Sequence, residues 1–302
     1  MINELLEAAT GGDLARARDA ARELADPSLL PEFRAVLGRK LKAVERKLVY
    51  EFLDYLARNT RAPDVAAFLC ARLGAEKNAA IQLEILRTLW LLDGLDAGAL
   101  EPLLDSENAR LREAAILALG ACAGETPVRL LSNILTQSAG GMEAANCATA
   151  LARSGDETIA AQIIEKHDAL EKTRANAFAL TELKAALYAL AGPRQLDWLR
   201  MALAQSRDYV ERWLLLATIC RIASKVDGAL IASEVEAYLA APTGEIGAIT
   251  LGVTIPFRNV FQAGMAYLRR TDVARFDALA ARAHAAKLPK EDCDFLDALL
   301  KA

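Results

Sequence analysis

Apolar and polar positions along much of this chain repeat with the period of an amphipathic helix. Residues 99–124 show the pattern most clearly: a short apolar stretch ends at Asp105, a polar turn follows, and a second periodic stretch runs from about Ala109 to Cys122. The second stretch has alanines on one side and larger side chains, such as Leu119, on the other. Alanine permits close approach of a neighbouring helix, and leucine fills the space between layers. The segment therefore predicts a helical hairpin.

Similar second helices recur at intervals of roughly 30 to 35 residues. Polar or glycine-containing joints separate them, as at Ser154-Gly155-Asp156, and side chains of this kind cap helix ends. The spacing predicts helix pairs at 3–9 with 13–25, 28–38 with 41–58, 63–74 with 79–93, 97–105 with 109–122, 126–138 with 142–154, 157–169 with 173–191 and 193–206 with 209–224. A trailing set of helices is expected from 228–240 onward.

The segment from Pro242 to Pro256 breaks this pattern. It contains three glycines and several β-branched residues, and both kinds of residue are poor helix formers. We expect a loop or a short extended piece there, with a helix restarting at Pro256 and reaching about Arg270. Two interpretations stay open. The segment is either an irregular cap over the last hydrophobic layer or a binding loop, because long irregular connections are often functional.

The composition also favours a helical chain. Hydrophobic residues make up 54% of it but aromatics only 6%, and alanine and leucine, both strong helix formers, supply most of the apolar share. The 36 basic residues are outnumbered by 40 acidic ones, whereas duplex-binding proteins usually carry a basic excess. Nucleic acid is therefore a disfavoured partner. The N-terminus lacks the features of a secretory signal and no apolar run could span a bilayer, so we expect a cytoplasmic protein without membrane contact.

Residues that carry chemistry are few and scattered. The five cysteines show no CxxC spacing, and four lie among apolar helix residues, which is typical of reduced, buried thiols. The two histidines, His167 and His284, fit no metal-binding spacing and are expected in surface or capping positions. Nucleophile and phosphate-binding motifs such as GxSxG, GxGxxG and GxxxxGK[ST] are absent from the sequence. The sequence therefore predicts no catalytic, cofactor or metal site.

One stretch resembles a HEAT repeat. It runs from Asp105 to Gly120, with Arg112 early in the second helix, then two adjacent alanines and a Leu-Gly pair at its end. The resemblance implies that Asp105 and Arg112 tie neighbouring repeat units together. Asp208 and Arg212 match the same pattern less closely, because a cysteine replaces the glycine.

The resemblance implies an all-α fold, a right-handed α-α superhelix of about 7–9 helical hairpins. We expect a single solenoid domain over residues 1–302, with regular repeats at 28–224 and an irregular C-terminal cap at 225–302. In HEAT-like proteins the second helices line the concave surface, on which extended ligands bind.

The candidate partner-binding residues lie on these second helices, and Arg, Trp and Tyr are types enriched at binding hot spots. They are Arg87 and Trp90 on 79–93, Lys184 and Tyr188 on 173–191, and Trp213 and Arg221 on 209–224. The alternative is that the tryptophans belong to the core and that the charges are incidental.

A basic stretch lies nearer the N-terminus. From Arg34 to Arg61 there are eight basic residues against three acidic ones. At helical spacing Arg39, Lys42 and Arg46 would share a face. This face is either a solvated outer surface or a contact patch for an acidic protein or a phosphate backbone.

The repeat pattern, together with the lack of a catalytic set, favours a non-enzymatic scaffold or adaptor of a bacterial cytoplasm that binds a partner protein along its concave surface. The resemblance also allows a HEAT-like enzyme, such as a DNA glycosylase or a bilin lyase. The catalytic residues of the glycosylases do not map onto this chain, and the lyases leave no motif to match. The sequence leaves the oligomeric state open.

Overall fold

A computed structural model of the chain describes residues 1–173, 176–224, 227–244 and 258–301. Over these ranges the protein is all-α, with eighteen α-helices and no β-strand beyond a single bridge between Leu95 and Cys122. No helix in the described ranges has the length and apolar character needed to cross a bilayer. The predicted all-α class is confirmed.

The chain forms two compact units. The first comprises Met1–Ser154 and Asp168–Leu180, and the second comprises Gly155–His167 and Thr181–Ala302. Residues of α11 (Ala160–Lys172) and α12 (Ala177–Leu190) are divided between them.

Ten helices lie wholly in the first unit. They are α1 (Ile2–Thr10), α2 (Leu14–Arg22), α3 (Leu30–Leu37), α4 (Ala43–Thr60), α5 (Pro63–Ala75), α6 (Ala79–Trp90), α7 (Glu101–Leu104), α8 (Ala109–Leu119), α9 (Glu125–Gln137) and α10 (Gly141–Ala152). The second helix of each pair packs on the second helix of the next, in the order α2, α4, α6, α8, α10. Each also packs on the first helix of its own pair, so the buried surface runs through successive pairs.

Close packing within the first unit depends on small residues. Ala144, Ala145 and Ala148 of α10 are almost completely buried. Gly120, which ends α8, lies against the backbone of Ala150, so that a Cβ at residue 120 would be 2.7 Å from the Ala150 carbonyl oxygen. Only glycine permits that approach without a shift of the backbone.

Six helices lie wholly in the second unit. They are α13 (Leu196–Gln205), α14 (Tyr209–Ile222), α15 (Gly228–Ala240), α16 (Val260–Thr271), α17 (Val273–Ala285) and α18 (Lys290–Lys301). Helix α16 is central, because it packs on α14, α15, α17 and α18, and nearly all of its first three turns are buried. Gly264 of α16 lies so close to Val235 that a Cβ there would overlap the valine side chain.

These bounds agree with the predicted helix pairs to within a few residues, and α15 coincides with the predicted 228–240. Two expectations fall partly outside the described residues: the opening of a second helix near Arg174, and the 242–256 segment, of which only 242–244 is described. The helix expected from Pro256 to about Arg270 is α16, which begins at Val260.

Several first helices start in the same way. A 3₁₀ turn precedes α3, α7 and α11, and the aspartate before it accepts a hydrogen bond from the backbone N–H two residues later, at 2.9 to 3.0 Å. These residues are Asp26, Asp96 and Asp156. Because the first amides of a helix lack partners inside it, an Asp at this position stabilises each start.

The C-terminal ends of several second helices are held by a side chain from a later helix. Asn59 of α4 donates to the Leu24 carbonyl after α2 at 2.9 Å, and Arg153 after α10 donates to the Trp90 carbonyl that ends α6. In the second unit, Arg221 of α14 donates to the Tyr188 carbonyl of α12 at 2.8 Å, and Arg270 of α16 donates to the Cys220 carbonyl of α14 at 3.0 Å. These donors satisfy carbonyls that a helix end leaves without intrahelical partners.

Two arginines make matching contacts at the start of second helices. Arg112 donates to the Ser106 carbonyl at 2.7 Å and to Glu143 at 3.2 Å. Arg212 donates to the Ser206 carbonyl at 3.0 Å and pairs with Glu234. Each arginine therefore joins the turn of its own pair to a later helix. Asp105 is not paired with Arg112 among the described residues, so its linking role remains a prediction.

Candidate functional site

A groove of about 360 Å³ lies between α12 and α14, within the second unit. Its lining residues are Thr181, Lys184, Ala185, Tyr188, Asp208, Val210, Glu211 and Leu214. Lys184 and Tyr188 are four positions apart on α12 and so share one helix face. The volume is at the lower end of the range for ligand sites, about 300–1,000 Å³, and fits one or two side chains of a partner.

Glu211 is the polar centre of this groove. It forms an ion pair with Lys184 and accepts a hydrogen bond from the Ser206 hydroxyl at 2.6 Å. Asp208 caps α14 by accepting from the Glu211 backbone N–H at 2.8 Å. Burial by itself raises the pKa of Glu211, but the hydrogen bonds from Lys184 and Ser206 outweigh it and the pKa lies below its ordinary value. The carboxylate is therefore ionised at neutral pH.

Tyr188 lies next to this carboxylate and is only 7% exposed. Its hydroxyl has no hydrogen-bond partner among the described residues. Burial raises the pKa of the phenol, and the charge of Glu211 raises it further, so the hydroxyl stays protonated. The hydroxyl oxygen has almost no exposed surface, and a buried hydroxyl left unpaired costs about 1–3 kcal/mol.

Arg221 supports Tyr188 through the backbone. Its guanidinium donates to the carbonyls of Tyr188 at 2.8 Å and Ala191 at 2.9 Å, at the end of α12. Burial lowers the pKa of Arg221. The side chain thus fixes the end of α12, and a direct contact between Arg221 and a partner remains a prediction.

Trp213 lies in the hydrophobic core of the second unit. It is 4% exposed and belongs to the same cluster as Leu216 and Ile219. This placement agrees with the interpretation of the tryptophan as a core residue. Its role in partner binding remains a prediction that the burial does not favour.

Arg87 and Trp90 lie on α6 in the first unit. Arg87 is largely exposed and forms an ion pair with Glu84 at 3.3 Å. Trp90 is 37% exposed, and its carbonyl accepts the hydrogen bond from Arg153 described above. Of the six predicted contact residues, Lys184 and Tyr188 are the ones that share a groove.

The sequence analysis did not identify Glu211 as the centre of the groove. A local signal was present, because Asp208 and Glu211 have the Asp-x-x-Glu spacing of a capped helix start. What the spacing could not give is the ion pair with Lys184, which is 27 positions away in the chain.

Two expectations about charged and polar residues need correction. His167 is not at the surface: it is 4% exposed and packs edge-on against Trp198, with ring centroids 6.4 Å apart. Arg39 and Lys42 are not helical, since α4 begins at Ala43. His284 is exposed, as expected.

The cysteines are mostly in the expected surroundings. Cys70, Cys147 and Cys220 are buried and Cys122 is half-buried, whereas Cys293 is exposed. Burial raises the pKa of the Cys70 and Cys122 thiols, the latter to about 12. Thiols with such raised pKa values are poor nucleophiles at neutral pH.

No protein-family model matches the chain, and a search of the curated proteins finds no significantly similar sequence. The assignment of the α12–α14 groove as the candidate site therefore rests on its own geometry.

Proposed function

We propose that this protein is a HEAT-like helical-repeat scaffold or adaptor that performs no chemical step and holds a partner protein in the α12–α14 groove. The observation that carries the proposal is the Glu211–Lys184 ion pair beside apolar side chains, in a groove with room for a side chain of the partner. The protein would act in the cytoplasm, with the partner as its cargo or client.

The helix packing supports the repeat part of the proposal. Second helices of the first unit pack in succession, and side chains about one repeat apart are joined, as in Arg18–Glu51 and Arg112–Glu143. In a repeat protein, equivalent positions of different repeats are expected to make equivalent contacts, and Arg112 and Arg212 do so. A right-handed superhelix with a concave surface is part of the proposal.

The groove itself supports the binding part. Ala185, Val210 and Leu214 offer apolar contact to an incoming side chain, while the Glu211–Lys184 pair offers polar contact. Sites that combine an apolar lining with a few polar groups gain affinity from the first and orientation from the second.

The test is to fill the groove. Thr181 is exposed at its edge, so Thr181→Trp would occupy the groove without entering the core. Thr136→Trp, at an exposed position of α9, is the matched control. We expect a partner protein, identified by affinity purification from the cells that make this chain, to bind purified wild type and the control but not Thr181→Trp. Equal binding of that partner to both variants would contradict the proposal.

A milder change tests the hydroxyl itself. Tyr188→Phe keeps the ring and removes the oxygen, so it relieves the unpaired buried group in the free protein. We expect unchanged or increased stability together with unchanged binding of the same partner, because the hydroxyl has almost no surface that the partner could touch. Weaker binding would show that the groove opens around the hydroxyl when the partner binds.

A further inference from the structure

A cluster of cationic side chains lies at the joint between α3 and α4, in the first unit. Arg39, Lys40 and Lys42 lie in the connection, and Lys47 lies in the second turn of α4; all four are exposed. Among the described residues none of the four forms an ion pair. We refer to them as the joint cations.

Three other basic residues of this stretch are engaged elsewhere. Arg46 points to the buried Glu76 at 2.9 Å, Arg58 pairs with Asp54 at 2.7 Å, and the guanidinium of Arg34 lies over the Phe68 ring. The eighth basic residue, Arg61, lies past the far end of α4 and is not part of the joint. Glu45 is the only acidic residue between Arg39 and Lys47, and it accepts a hydrogen bond from the Lys42 backbone N–H at 2.7 Å.

Two further features favour the joint as a contact surface. Val44, between Lys42 and Lys47, is 71% exposed, which is high for a β-branched apolar residue. Val44 and Lys47 are three positions apart on α4 and share a face. The amino end of the eighteen-residue α4 adds a positive partial charge to the same place.

We propose that the joint cations and Val44 bind an acidic segment of a partner protein, with an apolar residue of that segment on Val44. This surface is distinct from the α12–α14 groove and does not depend on it. Carboxylates of the segment pair with the four cations, and the apolar residue covers the valine.

The charge of the whole chain favours a short acidic peptide over a nucleic acid duplex. Acidic residues outnumber basic ones, 40 to 36, although the joint cations are included in the basic total. A duplex carries one charge about every 1.7 Å along its axis and extends well past a patch of four side chains. Its outer phosphates would extend beyond the four cations over a chain whose net charge is −4. A short acidic peptide, in contrast, covers the four cations without extending over the rest of the protein surface.

The test uses a labelled peptide of sequence EDELEDE, and fluorescence anisotropy at several salt concentrations on the full chain. We expect binding that weakens as salt rises and that falls about tenfold or more when Arg39, Lys40, Lys42 and Lys47 are all changed to Gln. The matched control changes four cations elsewhere in the unit, Arg16, Lys77, Arg110 and Arg129, to Gln. It removes the same charge and should bind within about twofold of wild type. Circular dichroism checks that both variants fold.

Three outcomes would overturn the proposal. The first is equal binding by wild type and the joint-cation variant. The second is an equal loss in the control, which would show that net charge alone decides. The third is a twelve-base-pair duplex that binds the joint cations more tightly than the peptide does, which would assign the surface to nucleic acid. The apolar contact is tested with Val44→Ser. We expect this variant to bind the peptide less tightly than wild type, by a smaller factor than the charge variant. An unchanged affinity would show that Val44 does not contribute to binding.

Discussion

Each unit buries a carboxylate that accepts hydrogen bonds from three side chains, and the two are stabilised in different ways. In the first unit, Glu76 is 6% exposed and accepts hydrogen bonds from Tyr50 at 2.7 Å, Arg72 at 2.6 Å and Arg46 at 2.9 Å. Burial raises its pKa, but these three donors outweigh burial and the pKa lies below its ordinary value. The positive charges of Arg46 and Arg72 therefore balance the negative charge of Glu76.

In the second unit, the buried carboxylate of Asp292 is stabilised without a cation among the described residues. It is fully buried and accepts hydrogen bonds from Tyr238 at 2.6 Å, Asn259 at 2.7 Å and Gln262 at 2.9 Å. No cation pairs with it among the described residues, so all three of these hydrogen bonds come from neutral donors. Burial and the bond to Asp292 both raise the pKa of the Tyr238 phenol.

The two sites differ in whether their donor side chains can reach water when the carboxylate is removed. Arg46 and Arg72 keep about a quarter of their side-chain surface exposed and can turn to water. Asn259 and Gln262 are 1% and 5% exposed and cannot turn to water. A buried donor left unpaired costs more than a missing contact, so the neutral site should be the more sensitive of the two.

Removing Asp292 should have the largest effect. Asp292→Ala leaves the buried donors of Tyr238 on α15 and Gln262 on α16 without an acceptor and removes the shortest hydrogen bond of Asn259, so we expect a loss of about 4 kcal/mol in the free energy of unfolding. Urea unfolding followed by circular dichroism measures it, with Asp294→Ala on the exposed side of α18 as the control. A loss no greater than that of the control would mean that the network stabilises nothing.

The two close-packed glycines compare the units in another way. Gly120→Ala meets the backbone of Ala150, whereas Gly264→Ala meets the side chain of Val235. We expect each to cost about 1–3 kcal/mol, with the larger cost at Gly120 because a backbone yields less than a side chain. Val235→Ala should restore part of the stability of Gly264→Ala. Gly74→Ala has free space around it and should be neutral or stabilising, so a loss there would argue against the steric explanation.

Replacing Glu76 should cost less than replacing Asp292. We expect about 2 kcal/mol for Glu76→Gln at neutral pH, because its arginines can be hydrated. Because the pKa of Glu76 is lowered in the folded protein, the stability that its carboxylate contributes depends on pH. The loss caused by Glu76→Gln has its full size above the unfolded-state pKa of about 4.3, and it disappears as the pH falls through the lower folded-state pKa. Parallel urea titrations of wild type and variant between pH 3 and pH 7 test this; a difference that grows on acidification would contradict it.

The smallest effect is expected at the helix ends. Arg221→Gln removes the charged donor from the end of α12 and should cost about 1 kcal/mol, near the usual value for a cation at a helix C-terminus. The cost should appear as faster hydrogen exchange of the last amides of α12. Unchanged exchange there would show that the carbonyls find water instead.

The sequence predicted the helices well because periodicity and capping are local. Alanine spacing, polar joints and glycines placed most helix pairs to within a few residues. The polar contacts were harder to predict, because Glu76, Glu211 and Asp292 each bind at least one side chain far along the chain: Tyr50, Lys184 and Tyr238, respectively. Asp292 in particular lies in an acidic run, Glu291-Asp292-Cys293-Asp294, that is typical of a solvated face. Nothing local marks which of its carboxylates enters the core.

The side chains that hold the ends of second helices impose an order on the nascent chain. In each of the four cases the donor follows the acceptor in the sequence: Asn59 serves α2, Arg153 serves α6, Arg221 serves α12 and Arg270 serves α14. During synthesis the last turn of an earlier helix therefore lacks its donor until roughly 30 to 60 further residues have left the ribosome. The ends of these four helices are thus completed by side chains that have yet to be made.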